Sequence, residues 1–279
     1  MAGKCTYVTL SNGVQVPQLG IGTWEAKDEE VLQNVKWALN AGYRHIDTAH
    51  FYKNERGVGQ GIRESGVPRS DIFLTTKLWN DDHGYDNTLA AFETSRLELG
   101  VEYVDLYLIH WPGPNRTYLE TWRAFEKLYE MKKVRAIGVS NFEPHHLDDL
   151  LANCQIPPMI NQVEMHPLFQ QKELRAYCAE KNIAVAAWRS LGKGAFLDEP
   201  RLVVLAEKHK KSVAQVIIRW LLQLGVVVIP KSSSEDRIKQ NFDVFDFELA
   251  PEDMRAMESM NANARIGGHP DTFFLTERK

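Results

Sequence analysis

The sequence predicts an α/β fold, a (β/α)8 TIM barrel with an N-terminal β-hairpin and two extra helices. From residue 18 onward, eight apolar runs of strand length alternate with segments of helical period, which is typical of parallel βαβ units. A doubly wound sheet usually has fewer strands. The length of 279 residues suits one barrel, and no linker or low-complexity tract interrupts the chain. We therefore expect residues 1–279 to form a single domain.

Each element is predicted from its local pattern, in chain order. Asn12-Gly13 between apolar runs at 7–10 and 14–16 predicts the hairpin, because this dipeptide accepts the positive φ of a tight turn. Apolar runs predict barrel strands at 19–22, 43–47, 72–76, 104–110, 135–139, 159–164, 184–188 and 226–230. Helical periodicity predicts helices at 29–40, 55–65, 88–99, 119–131, 144–152, 172–181, 201–208 and 235–241. Helices at 213–224 and 251–260 are predicted as the two extra ones.

Composition and charge exclude several classes of partner. The net charge of −4 and the pI near 6.2 give no reason to expect binding to nucleic acid or to an acidic membrane surface. The three cysteines form no CxxC pair and no Cys/His ligand pattern, which fits a reducing compartment. The first ten residues lack the layout of a signal peptide, and no apolar run reaches the length of about 18 residues needed for a membrane span. We expect a cytoplasmic monomer that acts on a small molecule.

Polar residues that follow the predicted strands mark the candidate site, because barrel enzymes carry their functional residues at the C-terminal ends of the strands. Asp47 ends the second strand, Tyr52 lies five residues later, Lys77 follows the third strand and His110 ends the fourth. Taken singly, Asp47 and Lys77 fit a structural ion pair, and His110 fits a core histidine. Their convergence on one mouth favours catalysis, because burying ionisable groups together is unfavourable unless they serve a purpose.

Other chemistries that use a barrel or a nucleotide are disfavoured. A glycosidase needs two carboxylates across the sugar bond, but the fourth and seventh strands end in His110 and Trp188. The histidines at 45, 50, 83 and 110 lack ligand spacing, so no metal site is predicted. Neither a Gly-x-Ser-x-Gly nucleophile nor a GxGxxG fingerprint is present, and the glycines at 57, 59 and 61 are expected to allow close helix–barrel packing. Lys77 beside Tyr52 would lower the phenol pKa from about 10, which suits a general acid.

Several long motifs in this order resemble the aldo-keto reductase family. They are residues 42–49 (GYRHIDTA), 104–112 (VDLYLIHWP), 137–142 (IGVSNF) and 229–232 (IPKS), the last followed by Arg237 and Asn241. The resemblance covers residues 8–270. Within the family, residues 75–80 and 242–249 look like the prostaglandin F synthases of kinetoplastid protozoa and bacterial 2,5-diketo-gluconate reductases. The resemblance to the family implies an oxidoreductase that uses NADPH/NADP+ to reduce aldehydes or ketones to alcohols by hydride transfer.

The resemblance also implies roles for individual residues. The family's catalytic tetrad falls on Asp47, Tyr52, Lys77 and His110. In that assignment Tyr52 protonates the carbonyl oxygen, Lys77 held by Asp47 lowers the pKa of Tyr52, and His110 orients the carbonyl.

The cofactor residues follow from the same resemblance. Trp188 takes the position that stacks on the nicotinamide, and Ser140, Asn141 and Gln162 take those that hydrogen-bond its carboxamide. The positions that hold the 2′-phosphate fall on Lys231, Ser232 and Arg237, and those near the adenine fall on Gln240 and Asn241. Further cofactor contacts fall on Thr23, Trp24, Asp47, Arg189, Ser190, Leu191 and Lys193. Two cations and a hydroxyl suit a phosphate dianion, although residues 235–239 alone would also fit a solvated helix face.

One loop departs from the family pattern. Where the subgroup usually has WSPLGQG, residues 188–194 read WRSLGKG, so Arg189 replaces the serine that helps to hold the pyrophosphate. Two interpretations stay open at this point. Either Arg189 and Lys193 add positive charge beside the pyrophosphate, or Arg189 points to solvent and the loop binds the cofactor less tightly.

Aromatic residues predict an apolar substrate pocket beside the catalytic groups. Trp24, Trp79, Trp111 and His110 are expected to line it, with Phe51 or His50, and the tail at Phe273 and Phe274 is expected to close it. Such a pocket suits hydrophobic or aromatic carbonyl compounds, and a prostaglandin endoperoxide, a quinone, methylglyoxal or a keto-sugar remain candidates. The alternative from another class is a non-catalytic NADPH-binding regulatory subunit, against which the intact tetrad argues.

Overall fold

The computed structural model describes residues 5–273, and its first element is the predicted hairpin. Strands β1 (Tyr7–Thr9) and β2 (Gln15–Pro17) pair in antiparallel register, with Val8 opposite Val16. The turn between them places Gly13 at a φ of 85°, a conformation that glycine adopts without strain. The Asn12-Gly13 signal therefore predicted the hairpin correctly.

Eight parallel strands follow and form a closed barrel. They are β3 (Ile21–Gly22), β4 (His45–Asp47), β5 (Phe73–Leu78), β6 (Val104–Ile109), β7 (Val134–Ser140), β8 (Ile160–Glu164), β9 (Ala184–Trp188) and β10 (Val227–Val228). Each strand pairs with its neighbour in chain order. Parallel bridges from Leu19 to Val228 and from Gly22 to Lys231 join the first strand to the last, which closes the sheet. The predicted barrel is confirmed.

Ten helices surround the strands in the described part of the chain. They are α1 (Asp28–Ala41), α2 (Glu55–Glu64), α3 (Tyr85–Leu99), α4 (Tyr118–Glu130), α5 (Pro144–Asn153), α6 (Lys172–Glu180), α7 (Pro200–His209), α8 (Val213–Gln223), α9 (Glu235–Phe242) and α10 (Pro251–Glu258). Helix α8 packs against β10, whereas α7 packs against α8 and α10. The extra helices are therefore α7 and α10, so the choice of residues 213–224 as an extra helix was wrong. Within residues 5–273, no helix combines the length and hydropathy needed to cross a bilayer.

Glycines in α2 let helices approach one another closely. A Cβ at Gly59 would lie 2.0 Å from the carbonyl oxygen of Leu99 at the end of α3. At Gly57, it would lie 2.3 Å from the carbonyl oxygen of Asp28 in α1. The expectation that these glycines serve helix–barrel packing was wrong, because the backbones that approach them belong to the neighbouring helices.

The N-terminal ends of the strands hold an ion cluster around one buried carboxylate. The carboxylate of Asp105, near the start of β6, accepts hydrogen bonds from Arg69 at 2.7 Å and from Arg135 at 2.6 Å. It also accepts one from the backbone N–H of Leu74 at 2.9 Å. The cluster ties β5, β6 and β7 together at the barrel end opposite the predicted site, as expected for a structural role.

Candidate active site

A cavity of about 1080 Å³ opens at the C-terminal ends of the barrel strands. Apart from Lys77, every residue of the predicted catalytic, cofactor and substrate sets lines it: Thr23, Trp24, Asp47, Tyr52, Trp79, His110, Trp111, Ser140, Asn141, Gln162, Trp188, Arg189, Ser190, Leu191, Lys193, Lys231, Ser232, Arg237, Gln240 and Asn241. Lys77 lies beneath this surface and is fully buried. The structure therefore brings together the side chains that the sequence placed at one mouth.

Lys77 is the centre of the predicted catalytic cluster. Its Nζ donates to Asp47 Oδ1 at 2.5 Å, to the carbonyl oxygen of Thr48 at 2.9 Å and to the hydroxyl of Tyr52 at 3.4 Å. Three acceptors use the three protons of the ammonium, which fixes its direction. The second oxygen of Asp47 accepts from Gln162 Nε2 at 2.7 Å, so both oxygens of this carboxylate are engaged.

The Tyr52 side chain is presented by a short 3-10 turn, His50–Tyr52, just after β4. The turn is held on one side by Glu55, whose carboxylate contacts His50 Nδ1 at 3.2 Å and accepts from the Thr76 hydroxyl at 2.5 Å. Thr76 directly precedes Lys77 in β5. The Glu55 carboxylate therefore links the turn that carries Tyr52 to the strand that carries Lys77.

The pKa values of the cluster follow from burial and charge. Burial raises the pKa of Tyr52 above its usual value, and the nearby Lys77 ammonium offsets only part of that rise. Lys77 acts on the Tyr52 pKa in the expected direction, but desolvation of the phenolate outweighs this attraction and the net change is a rise. For Lys77, burial lowers the pKa, but Asp47 and Tyr52 outweigh it and the pKa is raised. The group therefore stays an ammonium at neutral pH.

His110 is a neutral imidazole at the wall of the cavity. Burial, assisted by the positive charge of Lys77, holds the pKa of His110 well below its usual range. Its ring meets the rings of Tyr52 and Trp79 edge-on, with centroid distances of 5.7 Å and 5.2 Å. A neutral ring can donate one N–H to a carbonyl oxygen without bringing a second cation next to Lys77.

A hydrogen-bonded network holds the Trp188 ring in the cavity wall. The indole N–H of Trp188 donates to Asn141 Oδ1 at 2.8 Å, and Asn141 Nδ2 donates to the carbonyl oxygen of His110 at 2.9 Å. The Ser140 hydroxyl donates to the carbonyl oxygen of Gln162 at 2.7 Å. These groups thus bind one another as well as facing the cavity. They fix the position of the aromatic ring.

Two cations stand at the far end of the cavity. Lys231 follows β10 and donates from Nζ to the Ser233 hydroxyl at 2.8 Å. Arg237 lies exposed in the first turn of α9, and Ser232 lines the cavity between them. The helix start adds free backbone N–H groups to the two charges. This arrangement suits a phosphate dianion, which needs several donors and cations at once.

The loop after β9 shows where the two added cations point. Arg189 has a φ of 56° and holds its guanidinium carbon 5.3 Å from the Trp188 ring centroid. Lys193 forms an ion pair with Glu25 at 2.7 Å, which joins this loop to the one after β3. Arg189 therefore packs against the aromatic wall of the cavity, and Lys193 is already engaged with a carboxylate.

Aromatic rings build the wall next to Tyr52. Trp24 stacks on Phe51 at a centroid distance of 5.6 Å, and Phe51 stacks on Trp79 at 3.6 Å. Trp111 stacks on Phe273 of the C-terminal tail at 3.8 Å. Phe51 and His50 were predicted as alternatives for the pocket wall. Phe51 lines the cavity, whereas His50 pairs with Glu55. Phe274, expected with Phe273 to close the pocket, lies outside the described residues.

Comparison with known proteins decides the family. The sequence pattern described as "Aldo/keto reductase family" matches residues 18–262. The 9,11-endoperoxide prostaglandin H2 reductase of Trypanosoma cruzi (strain CL Brener) is 59% identical over 277 residues, which cover 97% of this chain and 98% of that protein. The chain belongs to the aldo-keto reductase family.

Further relatives of this aldo-keto reductase agree. Glyoxal reductase of Bacillus subtilis (strain 168) is 55% identical over 265 residues, covering 95% of this chain and 96% of that protein. The Bombyx mori aldo-keto reductase solved in complex with NADP has a TM-score of 0.89 and 39% identity, and the match covers 96% of this chain and 97% of that one. The predicted enzyme class and the predicted cofactor, NADPH/NADP+, are confirmed.

The site of this aldo-keto reductase has room and donors for such a cofactor. The Ser190 hydroxyl is buried and has no hydrogen-bond partner among the described residues, although it lies in the cavity wall. A buried hydroxyl without a partner is unfavourable, and a phosphate oxygen would relieve it. With Lys231 and Arg237 beyond it, the cavity offers polar partners along a path that begins at the Trp188 ring.

Several cavity residues escaped the sequence analysis. Glu25 pairs with Lys193 across 168 positions of sequence, and nothing local signals that contact. Gly267 and Gly268 line the cavity because Glu164 Oε1 accepts the N–H of Ile266 at 2.7 Å and Glu164 Oε2 accepts the N–H of Gly267 at 2.7 Å. Glu164 ends β8, but nothing in the strand pattern signals that its carboxylate holds residues 266 and 267, about 100 positions later.

Proposed function

We propose that this protein reduces aldehydes and ketones with apolar or aromatic substituents to alcohols, using NADPH and with Tyr52 as the proton donor. The observation that carries the proposal is the contact at 3.4 Å between the Tyr52 hydroxyl and the buried Lys77 ammonium, at the floor of an aromatic cavity. A phenol beside a fixed cation can release its proton to an oxygen that becomes negative. The closing experiment below tests this role directly.

Four side chains divide the work. Tyr52 donates a hydrogen bond to the carbonyl oxygen and then transfers its proton to it. Lys77 stabilises the phenolate that remains, and Asp47 keeps Lys77 charged and oriented. Neutral His110 donates a second hydrogen bond to the same oxygen, which favours the developing negative charge. NADPH, when bound, supplies the hydride that reaches the carbonyl carbon.

The cofactor residues are proposed from their positions. Trp188 would present its ring to the nicotinamide, and Ser140, Asn141 and Gln162 would hold its carboxamide. The pyrophosphate would be flanked by residues of the loop after β9, namely Arg189, Ser190, Leu191 and Lys193, with Thr23, Trp24 and Asp47 nearby. The 2′-phosphate would be held by Lys231, Ser232 and Arg237. The adenine would contact Gln240 and Asn241. The two cations near α9 support a preference for NADPH over NADH.

The substrate class follows from the wall of the pocket. Stacked rings of Trp24, Phe51 and Trp79 on one side and of Trp111 and Phe273 on the other favour flat or apolar groups beside the carbonyl. Relatives are named as reductases of prostaglandin H2, glyoxal and methylglyoxal. We place aromatic and dicarbonyl aldehydes first. A prostaglandin endoperoxide, a quinone or a keto-sugar is a narrower alternative, and the comparisons lend no support to a non-catalytic regulatory subunit.

The test is NADPH oxidation with a panel of aromatic aldehydes, dicarbonyls, ketones and quinones. Tyr52→Phe should lower kcat by about 10²–10⁴-fold, because the proton donor is lost while the ring remains. NADPH binding, followed by quenching of tryptophan fluorescence, should stay within about threefold of wild type. Tyr85→Phe, an exposed tyrosine at the start of α3, is the matched control and should keep full activity. Wild type without turnover on any of these compounds would refute the proposal.

A further inference from the structure

Three histidines surround one carboxylate where the C-terminal tail meets α5. His145 Nε2 lies 3.1 Å and His146 Nε2 lies 3.4 Å from Oδ1 of Asp271. His269 Nδ1 lies 3.8 Å from the second oxygen of the same carboxylate. His145 and His146 belong to the first turn of α5, while His269 and Asp271 belong to the tail. None of these residues serves the proposed reduction.

The spacing of these atoms matches the edges of a small metal site. Ligand atoms about 2.0–2.1 Å from a tetrahedral Zn²⁺ lie about 3.3 Å from one another. The measured separations of 3.1 Å and 3.4 Å agree with that edge, and His145, His146 and Asp271 each bring one ligand atom within 4.8 Å of the others. Imidazole nitrogens with one carboxylate suit Zn²⁺, Co²⁺ or Ni²⁺, whereas Ca²⁺ and Mg²⁺ prefer oxygen ligands.

An existing contact of His146 limits how strongly it can bind a metal. His146 Nδ1 accepts the backbone N–H of Glu143 at 3.2 Å. A metal on Nε2 would put a proton on Nδ1, so this contact must open. We therefore expect micromolar rather than nanomolar affinity.

We propose that His145, His146 and Asp271 form a three-ligand site for one Zn²⁺ ion, and that the ion fastens the tail to α5. Asp271 lies two residues before Phe273, whose ring stacks on Trp111 in the substrate pocket. An ion at Asp271 would hold that wall in place. Occupancy of this site would thereby change how readily bulky substrates enter and leave.

Calorimetric titration of the cofactor-free, full-length protein with ZnCl2 tests the site without using activity. Wild type should bind one ion, and bound Co²⁺ should give the visible absorption of a four- or five-coordinate site. Asp271→Asn and His145→Ala should each weaken binding at least about 10-fold, because each removes a ligand. His209→Ala is the matched control, since His209 pairs with Asp253 at 2.8 Å away from the tail and should leave binding unchanged.

Two results would overturn the proposal. One is the absence of a 1:1 Zn²⁺ complex in wild type, and the other is equal affinity in wild type and Asp271→Asn. Circular dichroism of each variant shows whether it is folded, and His146→Ala removes the remaining ligand if one of them is not. Metal binding is measured here without NADPH or carbonyl substrate, so its failure would not touch the proposed reduction, and the reverse also holds.

Discussion

In the proposed reaction, the pKa of Tyr52 is set by a balance between burial and the charge of Lys77. Since burial raises the pKa of the phenol above about 10, Tyr52 is protonated throughout the neutral range and the donor form is lost only as the pH rises through that raised pKa. His110 stays neutral because its pKa lies well below its usual value. We expect kcat/KM for reduction to be flat from about pH 7 to 10 and to fall only above that range.

Replacing Lys77 shifts that balance in a defined direction. Lys77→Met removes the attraction that stabilises the phenolate, so the pKa of Tyr52 should rise further and kcat should fall by about 10²-fold or more. The alkaline limb of the pH–rate profile should move to higher pH. Lys53→Met, an exposed lysine beside the same turn, should leave the profile unchanged. A limb that moves to lower pH in Lys77→Met would contradict the assignment.

Arg189 is the residue where the loop after β9 leaves the family pattern. Its guanidinium packs on Trp188 and lines the cavity, which favours the interpretation that it adds charge beside the cofactor. Arg189→Ser should raise the Kd for NADPH by about 3–10-fold, since a cation that can pair with the pyrophosphate is lost. Fluorescence titration measures this, with the exposed Arg201→Ser outside the cavity as control. An unchanged Kd would leave only the solvent-pointing interpretation.

At the scale of elements, the close approach of α2 to α3 makes its own prediction. Gly59→Ala would place a Cβ 2.0 Å from a backbone oxygen of Leu99, and backbone cannot give way as a flexible side chain does. We expect the free energy of unfolding to fall by about 1–3 kcal/mol, as overpacked sites usually do. Urea unfolding followed by circular dichroism measures it. Gln60→Ala, exposed on the next position of the same helix, should change it by no more than about 0.5 kcal/mol.

The alternation of strands and helices was readable from sequence because period two and period 3.6 differ over whole segments. The exact lengths of β3 and β10 could not be read from the sequence. Runs at 19–22 and 226–230 shorten to two residues each, since these strands meet at the barrel seam through isolated bridges. Nor could the sequence tell which of α7 and α8 covers β10, because both carry an apolar face and only tertiary packing separates them.

The candidate site was predictable for the same topological reason, with limits of its own. Parallel strands gather their C-terminal ends, so Asp47, Lys77 and His110 had to converge once the strands were placed. The sign of the net pKa change at Tyr52 was not predictable, because it depends on how much water the folded barrel removes. The cytoplasmic location and the monomeric state stay predictions.

At the scale of the whole molecule, the barrel separates chemistry from stability. The ionisable groups at the C-terminal mouth face a cavity, whereas Asp105 at the opposite end is fully buried and accepts hydrogen bonds from Arg69, Arg135 and Leu74. Five residue steps of extended chain, about 17 Å, separate Asp105 from His110. Changes at the two ends should therefore have different consequences.

Asp105→Ala should destabilise the barrel without impairing its chemistry. Removing the carboxylate leaves the buried N–H of Leu74 without its acceptor and two partly exposed arginines without their shared partner, which should cost about 1–3 kcal/mol. Because the catalytic mouth keeps its own contacts, kcat/KM measured at a temperature where the variant is fully folded should stay within about twofold of wild type.

The exposed pair between Lys172 and Glu258 supplies the control for this variant. Glu258→Ala should change the free energy of unfolding by less than about 1 kcal/mol, since water screens a pair on the surface. Chemical denaturation and steady-state kinetics on the same samples compare the two variants. If folded Asp105→Ala loses activity while Glu258→Ala does not, the two ends of the barrel are coupled. The tetrad would then depend on the far end for its geometry.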